Sequence, residues 1–429
     1  MMPINVRRHP ISLLPECERV ILRSFVPSDP SHVVSTANRV LRLEENDVVR
    51  ALDAVVEEFG ARHRDLESTL LANYDRVSAH LPTDAPLTRA RRLLIGAQFS
   101  GEYSLEAAAL FNPSMVLHPD QSGAPDGGAR FILSLRSVGE GHISSIEFRS
   151  GTIDANGEIH IDATSGFVTT PEIEPNARYK RKKVVYAIDF SPTLAMDERV
   201  IFPVSSNESN GIEDARFVRF VERDGSALYY ATYTAYNGHA ISPQLIETRD
   251  FLHFRVLTLS GSAVQNKGMA LFPRRVGDQY AMLSRQDNEN ILIMFSDDPH
   301  SWSETQVVLR PAALWESMKI GNCGSPIETE AGWLVITHGV GPMRKYCLGA
   351  ALLDLENPTK VIGRLDDPLL TAETSEREGY VPNVVYSCGS LLHGRNLILP
   401  YAMSDRTTSI ATVPLDDLLT RLLHDTATA

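Results

Sequence analysis

Gly211-Ile212-Glu213-Asp214-Ala215-Arg216-Phe217-Val218-Arg219-Phe220 runs into Ala227-Leu228-Tyr229-Tyr230-Ala231-Thr232-Tyr233-Thr234-Ala235. Two adjacent carboxylates and two arginines thus stand at the mouth of a strand rich in β-branched and aromatic residues, a cluster that suggests sugar chemistry. Successive strand residues point to opposite faces, so Glu213 and Asp214 should not enter one pocket by the same route. One is expected to be the acid and the other its support. The alternative is a solvated turn whose carboxylates pair with Arg216 and Arg219.

Working outward, everything after Gly96 consists of short runs of Val, Ile, Leu, Phe and Tyr separated by Gly, Asp, Asn and Pro, which is the pattern of strands and turns. The stretches 212–256, 268–309, 321–364 and 379–415 each open on a glycine-containing loop and continue as strand, turn, strand and a further strand. Residues 109–161 make a fifth. Their starts are spaced like propeller blades, ~40–50 residues apart plus loops. The expected fold is mainly β, a five-bladed β-propeller over 96–429 that ends in a short C-terminal helix. Propellers bind at the central channel, where the innermost strands begin. Asn112-Pro113-Ser114, Glu213-Asp214, Lys267, Gly324-Ser325 and Pro382-Asn383 are therefore expected to converge.

From Val33 to Gly96 the period is helical. Val48, Val49, Leu52, Val55, Val56 and Phe59 recur at three- and four-residue steps with Asn46 or Asp47 placed to cap, and Leu66, Leu70, Tyr74 and Val77 continue a stripe. Residues 1–95 read as an N-terminal α-helical extension. It is either a cap on the core or the assembly surface of a homo-oligomer.

A net charge of −13 argues against nucleic acid or an anionic membrane as partner, because both require a basic surface. Any anion bound here needs a local basic pocket. Cys17, Cys323, Cys347 and Cys388 are scattered without C-x-x-C or metal-ligand spacing, so buried free thiols and no metal are expected. Ile11–Leu14 is too short for a signal-peptide core and no run is long enough to span a membrane, which points to the cytoplasm.

Basic groups recur in the third and fourth stretches. Lys267 precedes Gly268-Met269-Ala270-Leu271-Phe272-Pro273, Arg285 ends Tyr280–Ser284, His338 sits in an apolar strand, and Arg344 and Tyr346 follow in a glycine-flanked loop. Three cations and a phenol suit an oxyanion. Singly, each could be a surface residue, and His338 a hydrogen-bonded core histidine.

Together these motifs resemble glycoside hydrolase family 130, the mannoside phosphorylases and related β-mannosidases. The resemblance rests on Gly211-x-Glu213-Asp214-x-Arg216, Asn112-Pro113-Ser114, Lys267 with Leu271-Phe272-Pro273, Arg285, Gly332-Trp333-Leu334 with His338-Gly339, Leu352-Leu353-Asp354-Leu355, Asn383-Val384-Val385, and Tyr401 with Asp405. It spans roughly Gly96 to Leu419 and implies the five-bladed propeller. It also implies Asp214 as general acid, its proton relayed through a mannose hydroxyl, with Asn112, Arg136, Glu213 and Asp405 around the mannosyl unit. Lys267, Arg285, His338 and Tyr346 are implied as phosphate-binding, His338 adding pH dependence if its imidazolium contributes charge. Ala215 departs from the proline that commonly follows the acid, which could loosen the turn that aims Asp214. The polar segment Arg136–Arg149 fits either a specificity loop or a plain hairpin.

The function expected is inverting phosphorolysis of a β-mannoside to α-mannose 1-phosphate, with inorganic phosphate as co-substrate and no other cofactor. A phosphate dianion needs no general base, whereas an inverting hydrolase needs a second carboxylate. One rival is such a β-mannosidase, with Glu213, Glu376 or Glu378 as base. The other is a catalytically silent glycan-binding propeller.

Overall fold

The computed structural model describes residues 4–83, 85–175 and 184–427. They divide into two compact units. The larger takes in the described residues of Met1–Pro15, Glu106–Ala163 and Pro171–Ala429, and the smaller Glu16–Leu105 with Thr164–Thr170.

The larger unit is mainly β and contains five antiparallel groups of strands. The first is Ala109–Leu117, Ala129–Val138, Ser144–Ile153 and Ile159–Ile161. The second is Gly211–Val221, Ala227–Tyr236, Ile241–Thr248 and His253–Thr258, extended outward by Val184–Asp189 and Glu172–Pro175. Ala270–Leu271, Tyr280–Ser284, Ile291–Ser296 and Gln306–Leu309 form the third. Lys319–Asn322, Gly332–Val340, Tyr346–Leu353 and Val361–Arg364 form the fourth. The fifth is Val385–Tyr386, Asn396–Met403 and Thr407–Pro414, completed by Arg7–Arg8 from the start of the chain.

That last pairing moves the boundary expected at 95/96. Arg7 and Arg8 cover the open edge of Thr407–Pro414, and Leu13 bridges Thr408, so the first residues belong with the strands and not with the helices. At the seam between the first two groups Gly211 pairs with Ser144 at φ 127, and a Cβ there would lie 2.7 Å from the Ser144 nitrogen. Only glycine satisfies both demands.

Apolar clusters join successive groups, and one further cluster joins residues of the fifth and the first. Phe148 and Ile146 meet Phe217 and Ile212 between the first and second groups. Phe220 and Tyr230 meet Leu271 and Met282 between the second and third. Phe272 meets Trp333 edge-on, ring centroids 5.0 Å apart, between the third and fourth. Leu334 and Leu348 meet Leu397 and Leu399 between the fourth and fifth. Leu110 and Leu133 meet Ile398 and Ile410 between the fifth and the first. The C-terminal helix Leu415–Ala427 lays Leu415, Leu418, Leu419 and Leu422 on the cluster shared by the last two groups.

The smaller unit holds helices α1 (Pro30–Leu41), α2 (Glu45–Phe59), α3 (Leu66–Ser78) and α4 (Arg89–Gln98) beside the hairpin Val20–Ser24/Ser100–Ser104. The Asp29 side chain caps α1 by accepting from Ser31 N at 2.8 Å, with Pro30 in the first turn. The cap of α2 is Glu44, so Asn46 and Asp47 lie inside the helix, where Asp47 pairs with Arg50. The period expected for α2 is present but its stripe is only partly covered: Val48 is buried with Leu94 and Phe99 of the α4 region, while Val49 and Val56 are 42% and 49% exposed. Cys323, Cys347 and Cys388 are buried free thiols; Cys17, expected buried, is exposed. Its carbonyl takes a hydrogen bond from Ser104 Oγ, which holds the backbone without covering the thiol. No helix among the described residues is long and apolar enough to cross a membrane.

Candidate active site

Pairing register slips between Phe111 and Ser114 in the first group and between Glu213 and Arg216 in the second. Within these irregularities Asn112 has φ 50 and Asp214 φ 54, a left-handed conformation that costs a non-glycine residue on the order of 1 kcal/mol. The bulge breaks strand alternation. Glu213 and Asp214 consequently face the same cavity, contrary to the expectation that they part to opposite faces. Phe217 N donates to Ser114 Oγ at 3.0 Å and locks the two irregular strands together.

The cavity has a volume of about 380 Å³. Asn112, Arg136, Glu213, Asp214, Lys267, Arg285, His338, Tyr346 and Asp405 all line it. Gly324-Ser325 and Pro382-Asn383 do not. The inner strand of the fourth group begins earlier than expected, at Lys319, and Lys319 lines the cavity in their place. Ser325 opens instead on a separate apolar cavity, and Asn383 on a polar cleft.

Around the carboxylates every charge has a partner. Asn112 Nδ2 donates to Asp214 Oδ1 at 2.6 Å, and Arg136 reaches Asp214 Oδ1 at 3.5 Å through Nη1 and Glu213 Oε1 at 3.0 Å through Nη2. Lys267 Nζ donates to Glu213 Oε2 at 2.9 Å. Arg216 is buried, with Nη1 on the Asp214 carbonyl at 3.2 Å and Nη2 on the Tyr386 hydroxyl at 2.7 Å. That guanidinium, together with Asn112, holds the Asp214 turn, which does not need the missing proline at Ala215. Burial alone would push the Asp214 pKa up, but the fields of Arg136, Arg216 and Lys267 and the Asn112 hydrogen bond outweigh it and hold the carboxyl below its ordinary range. Asp405 behaves oppositely. Burial and the nearby Asp214 charge push it up to about 6 against the pull of Arg136 and Arg344.

The cationic part is organised by a histidine. Arg285 Nη1 donates to His338 Nε2 at 2.9 Å, which leaves the ring proton on Nδ1, 3.6 Å from Cys323 Sγ. Burial and the adjacent Arg285 charge push the His338 pKa well below its ordinary value, so the ring is neutral at pH 7. A charged ring would face Arg285, so the condition under which His338 would add charge and pH dependence is not met. Tyr346 stacks on His338 at 6.1 Å, and Lys319 Nζ lies 5.8 Å from the Tyr346 ring. Burial lifts the Cys323 thiol to about 12, which rules it out as a nucleophile at neutral pH.

Three cavity-lining residues each carry a buried polar atom, Asn112 Oδ1, Arg136 Nε and Arg285 Nε, with no hydrogen-bond partner among the described residues. Such atoms suit a polar ligand. Backbone strain gathers here too. Asn112, His142, Asp214, Asn288, Arg344 and Asp405 line the cavity and all have positive φ.

Among residues the motifs did not single out, Lys319, Tyr386, His142 and Tyr380 also line the cavity. Lys319 stands two residues before Gly321, and that glycine-containing loop opening was its only signal. Glu147 and Arg149 of the 136–149 segment are buried structural ions, with Arg149 Nη2 on Glu106 Oε1 at 2.7 Å. The segment itself is a hairpin whose tip carries His142. Glu376 is bound by Arg8 Nε at 3.0 Å and the Tyr401 hydroxyl at 2.7 Å, and neither it nor Glu378 lines the cavity. Among the described residues no group of three or more His, Cys, Asp or Glu side chains is placed to hold a metal ion.

Residues 191–423 match the family model of glycoside hydrolase family 130, described as β-1,4-mannooligosaccharide phosphorylase. The chain is 32% identical over 279 residues to a 1,2-β-oligomannan phosphorylase of Thermoanaerobacter sp. (strain X514), covering 63% of this chain and 90% of that protein. It is 30% identical over 240 residues to a β-1,2-mannobiose phosphorylase of Listeria innocua, covering 53% and 65% of the two chains. The fold is similar to that of β-1,2-mannobiose phosphorylase from Listeria innocua solved with β-1,2-mannobiose, with a TM-score of 0.54 at 20% identity over 75% of this chain and 93% of that one. The family match covers more than half of the chain and includes the carboxylate pair with Arg216, Lys267, Arg285 and His338, whereas Asn112 and Arg136 lie before it. The chain belongs to glycoside hydrolase family 130.

Proposed function

We propose that this protein is a mannoside phosphorylase: it cleaves a β-linked mannoside with inorganic phosphate, inverting the anomeric carbon to give α-mannose 1-phosphate and a shortened acceptor. The observation that carries this reading is that Lys267, Arg285 and Lys319 line the same cavity as Asp214 in a chain of net charge −13. An acidic protein concentrates cations where an anion must bind. Relatives whose names specify phosphorolysis of β-mannosides support it.

In this mechanism a phosphate oxygen attacks the anomeric carbon, the glycosidic bond breaks, and the departing oxygen takes a proton that originates on Asp214. The free site holds Asp214 ionised. A bound phosphate dianion offsets the fields of Lys267 and Arg136, so the carboxyl gains proton affinity when it has to act. Asn112, Arg136 and Asp405 hold the mannosyl unit, while Glu213 spaces Arg136 from Lys267. His338 positions Arg285, and Tyr346 backs His338. The hydrolase alternative has less support, since Glu213 is tied by two cations and Glu376 and Glu378 lie elsewhere. No cofactor beyond phosphate enters this scheme.

The five groups of strands are read as the blades of a propeller. Successive groups share apolar clusters, and the shared cluster of the fifth and first groups supports closure, as do Leu110 N to Arg406 O at 2.9 Å and Cys388 N to Pro113 O at 2.8 Å. The exposed Val49 and Val56 of α2 support a homo-oligomer assembled through the helices.

The test is ³¹P NMR of the protein with phosphate and a panel of β-1,2-, β-1,3- and β-1,4-mannosides. Phosphate-dependent appearance of α-mannose 1-phosphate is expected. Free mannose released at the same rate without phosphate would overturn the reading in favour of hydrolysis, and sugar binding by calorimetry without turnover would favour the silent glycan binder.

A further inference from the structure

The cavity is divided by chemistry. Lys267, Arg285, Lys319 and Arg344 come from the chain between the second and fifth strand groups, and the first group adds Arg136, which is bound to Glu213 and Asp214; the aliphatic wall comes from the first group and the segment leading into the fifth. Val138 supplies one part of that wall and Val381 and Val384 the other, and His142 and Tyr380 line the cavity with them. An inverting displacement requires the nucleophile and the leaving group to lie on opposite sides of the anomeric carbon. With phosphate held among the cations, the leaving sugar has to lie toward the apolar wall.

Two rings stand at the edge of that wall. The His142 and Tyr380 centroids are 5.8 Å apart with a 37° tilt, and Tyr380 is 64% exposed. His142 sits at the tip of the hairpin Ala129–Val138/Ser144–Ile153, where Gly141 at φ 68 and His142 at φ 61 turn the chain and His142 N donates to Gly139 O at 3.1 Å. Val381 N, next to Tyr380, donates to Ser404 O at 3.0 Å. The hairpin also carries Arg136, and Ser404 adjoins Asp405. Each ring is therefore tied to a segment that holds the mannosyl unit, at a fixed distance along the substrate.

We propose that His142 and Tyr380 form the platform for the acceptor sugar, the ring that leaves on phosphorolysis and attacks in the reverse reaction; this inference rests on the phosphorylase reading. A pyranose presents an apolar C–H face, and an exposed pair of flat rings beside a polar catalytic centre offers a complementary surface. The pair makes no bond to the reacting atoms. It sets which acceptor is held, and for how long.

The experiment uses the full-length protein in the synthetic direction, with α-mannose 1-phosphate and mannose, β-mannobiose, glucose and N-acetylglucosamine as acceptors. The variants are Tyr380→Ala, Tyr380→Phe and His142→Asn, the last chosen because asparagine tolerates a positive φ. Tyr380→Ala and His142→Asn are expected to raise the KM of the preferred acceptor roughly three- to tenfold. The KM of α-mannose 1-phosphate should stay within a factor of two, and Tyr380→Phe, which keeps the flat ring, should recover most of the acceptor affinity lost in Tyr380→Ala. If both substrates weaken equally, or neither does, in a protein whose wild type releases α-mannose 1-phosphate from a β-mannoside, the platform is overturned and the phosphorylase reading stands. If the wild type consumes no phosphate with any β-mannoside, both fall.

Discussion

Asn112 Nδ2 donates to Asp214 Oδ1 at 2.6 Å across the seam between two strand groups, and both residues occupy left-handed backbone inside matching register slips. Neither conformation is intrinsically favoured, and each aims its side chain at the other. The pair is thus a preorganised device that presents Asp214 to the cavity with one oxygen engaged. Asp214→Asn keeps the shape but cannot donate the proton, and should lower turnover by ~10²–10⁴-fold. The thermal midpoint should fall somewhat at neutral pH, because the amide gives up the pairing with Arg136 and Arg216 that holds the carboxyl ionised, while the protein stays folded. Wild-type turnover in this variant would make Asp214 structural and Glu213 the next candidate.

Gly321 tests the cationic part without deleting a charge. A Cβ there would overlap the His338 ring, approaching Nε2 to 2.8 Å and Arg285 Nη1 to 3.0 Å. Gly321→Ala should therefore displace the imidazole from Arg285 and raise the apparent KM for phosphate several-fold, with the mannoside KM changing less. Equal loss for both substrates would mean that the imidazole supports the fold of the whole cavity.

Much of this was legible in the sequence, and the failures have physical causes. The strand groups were visible because turn residues and β-branched runs recur at a fixed spacing, and the observed groups differ from the expected stretches by a few residues. Glu213 and Asp214 sharing a cavity was not legible, because two-residue alternation assumes regular pleating and a bulge leaves no local mark. The strand at Arg7–Arg8 was hidden for another reason: two residues carry no periodicity, and their pairing lies about 400 positions away along the chain. Lys319 was missed because a single lysine before a glycine looks like any surface residue. The exposed half of the α2 stripe shows the limit of the helical pattern, which reports amphipathic character but not what covers it.

Phosphate and mannoside can be separated through Lys267 and Arg285. Replacing either with Ala should raise the apparent KM for phosphate about ten- to a hundredfold, as expected for a charge-assisted hydrogen bond worth roughly 1.5–3 kcal/mol. Lys267→Ala also releases Glu213 Oε2, so a moderate mannoside effect is expected there and less in Arg285→Ala. Because His338 is neutral, the phosphate KM should show no histidine titration between pH 6 and 8. A titration in that window that vanished in His338→Asn would show the ring to be charged.

Asp405 couples the stability of the fold to pH. Its folded pKa lies at about 6 against an ordinary 3.8, raised by burial first and by the Asp214 charge second. The native state therefore binds this proton more tightly than the unfolded chain does. The resulting stabilisation is fully present below about pH 4 and is lost as pH rises through about 6, which amounts to a penalty of about 3 kcal/mol for the ionised group at pH 7 to 8. Asp405→Asn removes the ionisation and keeps the shape. Its thermal midpoint should exceed that of the wild type at pH 8, and the difference should shrink steadily as pH falls toward 5. Mannoside affinity should fall in the same variant if Asp405 holds the mannosyl unit as proposed, because an amide offers one accepting oxygen where the carboxylate offers two. A midpoint difference independent of pH would mean that Asp405 ionises normally in the folded protein. Unchanged mannoside affinity would remove it from the mannosyl site.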